Sequence, residues 1–257
     1  MKADAASLVE RLGGTALCVP AMREVVHTER IPPFIDKVTA DAFSLVVFLT
    51  GFGVSALLRE AERLGRLDAT LAGLRRTVVA CRGPKPLDVL EQYDVPVAIR
   101  AAEPHTRREL LDALTGVDLK EKAVALVHQG EPNVALAAAL KSRGARLEEV
   151  LLYEWRMPED VRPLESLVRD VTSGAVDAVA FTNEIQGRHL VEVARRLDLQ
   201  NALVAALNAD TIVAAVGPVC AGALQALGIV PDVIPAHPTM ASMIDALAGY
   251  FDLTEGN

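Results

Sequence analysis

The most constraining feature of this 257-residue sequence is an internal repeat. In each copy one short apolar run leads into a polar turn, a second leads into a Gly-Pro turn, and a threonine then opens a helical pattern. The turns are Thr50-Gly51 and Gly83-Pro84 in the first copy, and Thr182-Asn183 and Gly217-Pro218 in the second. They lie 33 residues apart in the first copy (50 to 83) and 35 in the second (182 to 217). The repeat predicts two similar α/β domains with a ligand cleft between them.

The apolar runs are short and alternate with longer amphipathic stretches, which is typical of parallel βα units. Most runs are rich in valine on both faces, as expected for strands covered by helices on both sides of a sheet. The predicted strands are residues 16–19, 45–49, 77–80, 97–99, 123–127, 150–153, 178–181, 212–216 and 232–234. The sequence therefore predicts an α/β fold built on parallel sheets.

Two proline-containing breaks suggest how the chain divides into domains. Pro32-Pro33 interrupts the pattern early, and Met157-Pro158 interrupts it again before the second copy. We expect residues 37–152 to form one inserted domain and residues 1–34 plus 156–257 to form a discontinuous second domain. The chain would then cross between the domains twice, and a two-stranded connection of this kind still permits hinge closure.

The composition argues against two classes of partner. A formal net charge of −8 disfavours non-specific nucleic-acid binding, which requires a basic surface. No apolar stretch reaches the roughly 20 residues that span a bilayer, and the acidic, amphipathic N-terminus is unlike a signal or transit peptide. Cys18, Cys81 and Cys220 are widely spaced in apolar runs, which predicts buried thiols in a reducing compartment. We expect a cytoplasmic protein that binds neither nucleic acid nor membrane.

Two strand-to-helix turns in the first copy suit an anionic ligand. In Thr50-Gly51-Phe52-Gly53, glycine would let a helix N-terminus approach a negative group closely, although a tight turn that simply needs glycine is an equally good interpretation. The segment matches neither a dinucleotide fingerprint nor a P-loop. Arg82-Gly83-Pro84-Lys85 sets two cations at a helix N-terminus, where the helix dipole disfavours them. An anion would resolve that conflict; a solvated turn is the alternative.

Three further turns occupy equivalent places in the pattern. Gln129-Gly130 follows the predicted strand 123–127, and Thr182-Asn183 and Gly217-Pro218 follow strands of the second copy. Each turn alone is weak support for a site. Together with the two turns of the first copy they would line the carboxyl ends of parallel strands, which is where open α/β sheets bind ligands.

The familiar catalytic sets are missing from the sequence. No two histidines have the spacing of metal ligands, and no serine nucleophile motif is present, so no metal site is predicted. Tyr153 stands out because a phenol at the rim of a cleft can donate a hydrogen bond and act as a weak acid. For the neighbouring Trp155, packing is the expected role.

The order and spacing of these segments resemble the uroporphyrinogen-III synthase family from about residue 7 to residue 251. The segments that carry the resemblance are residues 45–54, 82–86, 153–156, 179–183 and 215–218. The resemblance implies two α/β domains joined by a two-stranded connection, with the active site in the cleft. It also implies a cofactor-free reaction on hydroxymethylbilane, a linear polycarboxylate tetrapyrrole. That substrate would lose its terminal hydroxyl, invert its last pyrrole through a spiro intermediate, and close to uroporphyrinogen III.

On this resemblance we predict that Tyr153 assists departure of the hydroxyl. The predicted substrate-binding residues are Thr50, Gly51, Gly53, Arg82, Gly83, Lys85, Gln129, Gly130, Thr182, Asn183 and Gly217. Each carboxylate at a helix N-terminus is worth only about 0.3–1 kcal/mol, so several loops must act together. The protein would work mainly by holding a flexible substrate in one folded shape. We also expect a monomer that makes transient contact with hydroxymethylbilane synthase.

The sequence departs from the family pattern in two places. Val219-Cys220 follows the second Gly-Pro turn, where family members carry a hydroxyl residue. Family chains also begin with a strand and an arginine-containing loop ahead of the first helix, whereas this sequence opens inside that helix. One strand of the discontinuous domain is therefore expected to be absent, with lower stability of that domain and impaired activity.

Non-enzymatic functions fit the same pattern. Two α/β lobes around a cleft also describe solute-binding and sugar-sensing modules. A regulatory protein that binds a tetrapyrrole without turning it over is a further alternative, and stoichiometric binding without product would distinguish it from an enzyme.

Overall fold

The computed structural model describes the backbone of residues 2–255 and the side chains of residues 5–251. The chain divides into unit 1, made of Met1–Arg23 and Arg156–Asn257, and unit 2, made of Glu24–Trp155. The predicted insertion 37–152 lies inside unit 2. Residues 24–34, which the sequence assigned to the other domain, also belong to unit 2.

The described residues form nine strands and twelve helices. The strands are β1 Arg23–Val26, β2 Leu45–Phe48, β3 Val78–Cys81, β4 Ile99–Arg100, β5 Ala123–Val127, β6 Arg146–Val150, β7 Tyr153–Arg156, β8 Ala178–Phe181 and β9 Ile212–Ala215. The helices are α1 Lys2–Arg11, α2 Ile31–Thr39, α3 Gly51–Arg63, α4 Leu67–Arg76, α5 Pro84–Glu91, α6 Arg107–Ala113, α7 Val134–Ser142, α8 Arg162–Thr172, α9 Glu184–Arg196, α10 Gln200–Ala209, α11 Pro218–Gln225 and α12 Met240–Glu255. None of these helices combines the length and the apolar character that crossing a lipid bilayer demands.

Unit 2 is built on a five-stranded parallel sheet in the order β4-β3-β2-β5-β6. All four residues of β2 are buried, because apolar side chains pack against helices on both faces of the sheet. Phe48 at the end of β2 pairs with Cys81 of β3 and with Val127 of β5. The carboxyl ends of these three strands therefore lie side by side, and the predicted anion-binding turns follow directly from them.

Helix α2 belongs to this unit because of its apolar stripe. Ile31, Phe34, Ile35 and Val38 recur at helical spacing and are all buried in the same core cluster as β2. Pro32-Pro33, interpreted from the sequence as a break between domains, lies in the first turn of α2, where proline is tolerated because an N–H is not needed there.

The two-stranded sheet formed by β1 and β7 contains both passages of the chain between the units. The sequence predicted a single strand over 150–153, but a turn at 151–152 separates β6 from β7. That prediction was wrong because β6 is an edge strand with the sequence RLEEV, whose charged side chains hide it from an apolar pattern.

Unit 1 has a smaller sheet in its described residues. β8 pairs in parallel with β9, and Val233 forms an isolated bridge to Ala214 where a strand over 232–234 was predicted. The other edge of β8 has no strand beside it in the described part, whereas the equivalent β2 of unit 2 lies between two neighbours. Ala180 of β8 is exposed.

The predicted strand over 16–19 forms no strand. Leu17 is 69% exposed, and Cys18 is exposed as well, because this segment pairs with no sheet in the described residues. Cys81 and Cys220 are buried as predicted, and burial raises the pKa of these thiols to about 12 and about 11. The prediction of buried thiols is thus wrong for Cys18.

Candidate functional site

Helix α3 begins at the first predicted turn. Thr50 is extended (φ −143°, ψ 148°), and its Oγ1 accepts a hydrogen bond from the Gly53 amide at 3.2 Å, so it caps the helix. The remaining first-turn amides have no partner inside the helix because of helix geometry. A Cβ atom on Gly51 would lie 2.7 Å from the carbonyl oxygen of Lys85. Glycine is therefore required at 51 by the close approach of the neighbouring turn.

Tyr153 stands at the start of β7, and its side chain faces the cap of α3. Its hydroxyl oxygen lies 3.0 Å from Thr50 Oγ1, and its ring makes edge contacts with Phe52 and Trp155 at centroid distances of 4.7 and 6.5 Å. The residue is 1% exposed, so it lies beneath the surface rather than at a rim. The half-buried Thr50 is the outer member of this hydroxyl pair.

Burial keeps the Tyr153 phenol protonated. Desolvation raises its pKa to about 12, and the hydrogen bond with Thr50 and the charge of Arg82 oppose that shift only partly. A phenol in this state can donate to Thr50 Oγ1, which already accepts from the Gly53 amide. Thr50 then has its own proton available to donate to a third group.

The Arg82–Lys85 turn lies beside this hydroxyl pair. The Arg82 amide donates to the Phe48 carbonyl at 3.1 Å, which fixes the end of β3 against the end of β2. Gly83 is the N-cap of α5 and makes no side-chain capping bond, and Pro84 occupies the first helical position, as the sequence predicted. Arg82 is half-buried and acts electrostatically on Tyr153, whereas Lys85 is exposed. The turn thus brings positive charge to the start of α3.

His105 adjoins the same turn and was not among the predicted site residues. A Cβ atom on Gly83 would lie 3.7 Å from His105 Cβ. The backbone of His105 has a positive φ of 58°, and Nδ1 lies 3.1 Å from the Ala101 carbonyl. Because a carbonyl only accepts, Nδ1 carries the proton and Nε2 is the second polar atom of the ring. The sequence signal nearest to it is Thr106, which forms a capping box with Glu109 at the start of α6.

The third predicted turn follows β5. Gln129 is buried, and Gly130 has a positive φ of 71°, so a side chain at 130 would be strained. The indole of Trp155 lies against Gly130, where an added Cβ would clash with Cδ2, and the Trp155 amide donates to the Gly130 carbonyl at 3.1 Å. Trp155 therefore packs, as expected, and what it packs against is a predicted substrate-binding loop.

The remaining predicted residues lie in unit 1. Gln186 Oε1 accepts from the amides of Thr182 and Asn183 at 2.8 and 3.1 Å, and Gln186 Nε2 donates to Thr182 Oγ1 at 3.1 Å. Gly217 follows β9, and a Cβ atom there would meet Pro238 at 2.8 Å. Unit 2 thus brings together eight of the predicted positions with Tyr153, and unit 1 holds Thr182, Asn183 and Gly217.

No group of three or more histidine, cysteine, aspartate or glutamate side chains in the described part of the chain is arranged to hold a metal ion. The polar groups gathered at the carboxyl edge of the unit 2 sheet include hydroxyls, backbone amides, the Gln129 carboxamide, the His105 imidazole and the cationic side chains of Arg82 and Lys85. Amide donors and cationic side chains in one place suit an anionic ligand.

A protein-family model described as uroporphyrinogen-III synthase HemD matches residues 3–245. The chain belongs to the uroporphyrinogen-III synthase family. A putative uroporphyrinogen-III synthase of Methanothermobacter thermautotrophicus is 33% identical over 251 residues, which cover 96% of this chain and 93% of that protein. The uncharacterized protein YjjA of Bacillus subtilis is 32% identical over 254 residues, covering 98% of this chain and 93% of that protein.

A solved member of the family has the same fold. The crystal structure of a mutant uroporphyrinogen III synthase from Thermus thermophilus matches with a TM-score of 0.74 at 28% identity, covering 100% of this chain and 96% of that chain. The α/β fold and the family predicted from the sequence are confirmed.

Proposed function

We propose that this chain is a lyase that cyclises hydroxymethylbilane to uroporphyrinogen III with inversion of the last pyrrole ring. Membership of the uroporphyrinogen-III synthase family supports the reaction. The observation that carries the chemistry is the hydroxyl pair of Thr50 and Tyr153, 3.0 Å apart, at the N-terminus of α3 and within the field of Arg82.

The hydroxyl pair would serve the first chemical step. The terminal hydroxyl of the substrate leaves with its bonding electron pair and must gain one proton to depart as water. Tyr153 donates to Thr50, and Thr50 donates to the leaving oxygen, so the pair stabilises the charge that develops there. The remaining cation is attacked by the substituted carbon of the terminal pyrrole, which gives a spiro intermediate. The bond from that carbon to its original methylene bridge then breaks, and the bridge, now cationic, is attacked by the free carbon of the same pyrrole. The proton lost from that carbon balances the one taken up by the hydroxyl. The net change is loss of one water.

The turns around the pair would hold the substrate carboxylates. Arg82, Lys85 and the open first turn of α3 supply positive charge and amide donors in unit 2. Gln129 and Gly130 are proposed contacts from the neighbouring loop. Further proposed contacts from unit 1 are Thr182, Asn183 and Gly217. The amides of Thr182 and Asn183 now donate to Gln186. Either Gln186 releases these amides when substrate binds, or only the Thr182 hydroxyl is left for the substrate.

The test is a coupled assay that separates isomers. Hydroxymethylbilane is generated in the presence of the purified chain, and the oxidised uroporphyrins are separated by chromatography. Spontaneous closure gives the type I isomer, so we expect type III to exceed type I with the chain present and to be absent without it. A folded chain that yields only type I while binding the tetrapyrrole stoichiometrically would overturn the proposal in favour of a binding module.

The finer predictions about partners and location belong to the same proposal. We infer a cytoplasmic monomer that takes its unstable substrate through transient contact with hydroxymethylbilane synthase, uses no cofactor and binds no nucleic acid. The formal net charge of −8 supports the last point, because nucleic-acid binding needs a basic surface.

A further inference from the structure

His128 is held by hydrogen bonds at both of its ring nitrogens. It follows β5, and its side chain is 2% exposed. Nδ1 accepts a hydrogen bond from the Asn133 amide at 3.1 Å, and Nε2 lies 3.1 Å from Glu149 Oε2 on β6. The other carboxylate oxygen of Glu149 accepts from Lys141 Nζ on α7 at 2.7 Å. A buried imidazole thus links the sheet to the start of the following helix.

These contacts define the protonation state of the ring. An amide N–H can only donate, so Nδ1 must be the unprotonated nitrogen. The neutral ring then carries its proton on Nε2 and donates it to Glu149. Protonation of Nδ1 would point two N–H groups at each other and remove the bond to Asn133.

The bond to Asn133 closes the loop of residues 129–132. This loop contains the predicted substrate-binding residues Gln129 and Gly130. Asn133 caps α7 through its side chain, which accepts from the Leu136 amide at 3.1 Å, so the His128 bond ties both ends of the loop to rigid elements. Another tie is on the far side of the loop, where the Trp155 amide donates to the Gly130 carbonyl.

We infer that His128 is a positioning residue: its neutral imidazole holds loop 129–132 in the conformation that contacts substrate, and protonation at Nδ1 releases the loop. The inference rests on the proposed function, because it takes Gln129 and Gly130 to be substrate contacts. His128 itself is buried under the loop and is not assigned a contact with substrate.

The surroundings of His128 favour the closed loop at neutral pH. Burial is the largest influence and lowers the pKa of the imidazole; Glu149 opposes this and Lys141 adds to it. Those two are the charged groups acting on the ring from β6 and α7. On the other side of β5 the neighbouring residue is the apolar Leu49, which directly follows β2 and donates its amide to the Val127 carbonyl. The loop is therefore closed above the ordinary pKa of histidine and opens as pH falls through the lowered value.

Two substitutions should move this acid transition in opposite directions. Lys141→Met removes a positive charge that lowers the His128 pKa. The acid limb, meaning the fall in the rate of type III formation as the pH is lowered, should therefore shift to higher pH. Glu149→Gln removes a negative charge that raises it, so the limb should shift to lower pH. Lys37→Met is the matched control, because Lys37 makes an equal 2.7 Å contact with Glu148, the adjacent residue of the same strand. We expect no shift for the control.

Non-titrating replacements at 128 complete the test. Asn carries an oxygen near the position of Nδ1, so His128→Asn should keep the loop closed and abolish the acid limb, whereas His128→Leu should raise KM at every pH. Amide hydrogen exchange of residues 129–131 and 133 from about pH 5 to about pH 8, expressed as protection relative to an unstructured peptide at the same pH, gives a readout without substrate. The inference would be overturned if Lys141→Met and Glu149→Gln shifted the acid limb in the same direction. It would also be overturned if amide exchange in the loop of the wild-type chain did not increase in acid. Absence of type III product with intact loop behaviour would instead reject the proposed function alone.

Discussion

At the scale of single residues, the hydroxyl of Tyr153 is the group on which the proposed chemistry depends. Tyr153→Phe removes the donor to Thr50 and keeps the ring contacts with Phe52 and Trp155. We expect type III formation to fall severalfold or more with little change in stability, since a typical hydrogen bond contributes only about 1 kcal/mol. Rates from the coupled assay, with thermal unfolding measured in parallel, check this.

Tyr93→Phe is the control for this substitution. Tyr93 is half-buried beyond the last residue of α5, at the opposite end of that helix from the Arg82–Lys85 turn. Removal of the Tyr93 hydroxyl should leave the isomer ratio unchanged.

The raised pKa of Tyr153, about 12, gives a prediction for the pH profile of the wild-type chain. The rate should show no alkaline loss from this phenol near its ordinary pKa of about 10. A wild-type rate in Tyr153→Phe would remove the phenol from the mechanism.

At the scale of elements, the two repeats begin their equivalent helices differently. In α9 the amides of Thr182 and Asn183 are bonded to the side chain of Gln186, the third helical residue, whereas the third helical residue of α3 is Gly53, which has no side chain to reach back. In α3 the cap Thr50 bonds the Gly53 amide. The sequence predicted both turns as anion-binding. The structure distinguishes them, because a side chain one turn into the helix decides whether the first amides remain available to a ligand.

This difference predicts that the cap of α3 has a function beyond stability. Thr50→Val should cost about 1 kcal/mol through loss of the cap and should also reduce type III formation severalfold, and Thr50→Ser should restore both. Thr239→Ala is the matched control, because Thr239 Oγ1 accepts from the Ser242 amide at 3.1 Å at the start of α12. The control should lose similar stability with an unchanged rate per folded molecule. Equal rate losses in both variants would indicate that Thr50 acts through stability alone.

At the scale of the whole molecule, the sequence predicted those parts of the fold that carry continuous apolar runs. β5 and β8 have the predicted bounds because every residue in both strands is apolar. β1 was missed: its sequence REVV alternates exposed and half-buried side chains in a two-stranded sheet, so no buried run marks it. The segment 16–19 is the opposite case: it is an apolar run, but it has no neighbouring strand to pair with and so it does not form a strand.

The candidate site was predicted as separate turns and not as an arrangement. Thr50 and Tyr153 are 103 residues apart, and each was identified from its own local pattern. Their hydrogen bond depends on where β7 meets α3, which local sequence does not encode. The same limit applies to His128, whose partner Glu149 is 21 residues away on a strand that the sequence analysis did not find.

The two units should differ in local stability. β2 is flanked by β3 and β5, whereas β8 has a strand on one side only in the described residues, and Ala180 is exposed. We expect the backbone amides of β8 to exchange with solvent faster than those of β2 in mild denaturant, because fewer hydrogen bonds and contacts oppose local opening. Hydrogen exchange followed by mass spectrometry measures both strands in one sample. Slower exchange in β8 than in β2 would contradict this expectation.

The packing of Trp155 on Gly130 gives the molecule an intrinsic optical reporter. Trp155 is the one tryptophan in the sequence, and its indole lies directly against the backbone of the loop that follows β5. Indole emission responds to the polarity and the dipoles around the ring, so excitation selective for tryptophan reads this single loop without any label. Displacement of the loop would change the emission of the native chain, and the kinetics of that change can be followed by stopped-flow mixing in solution.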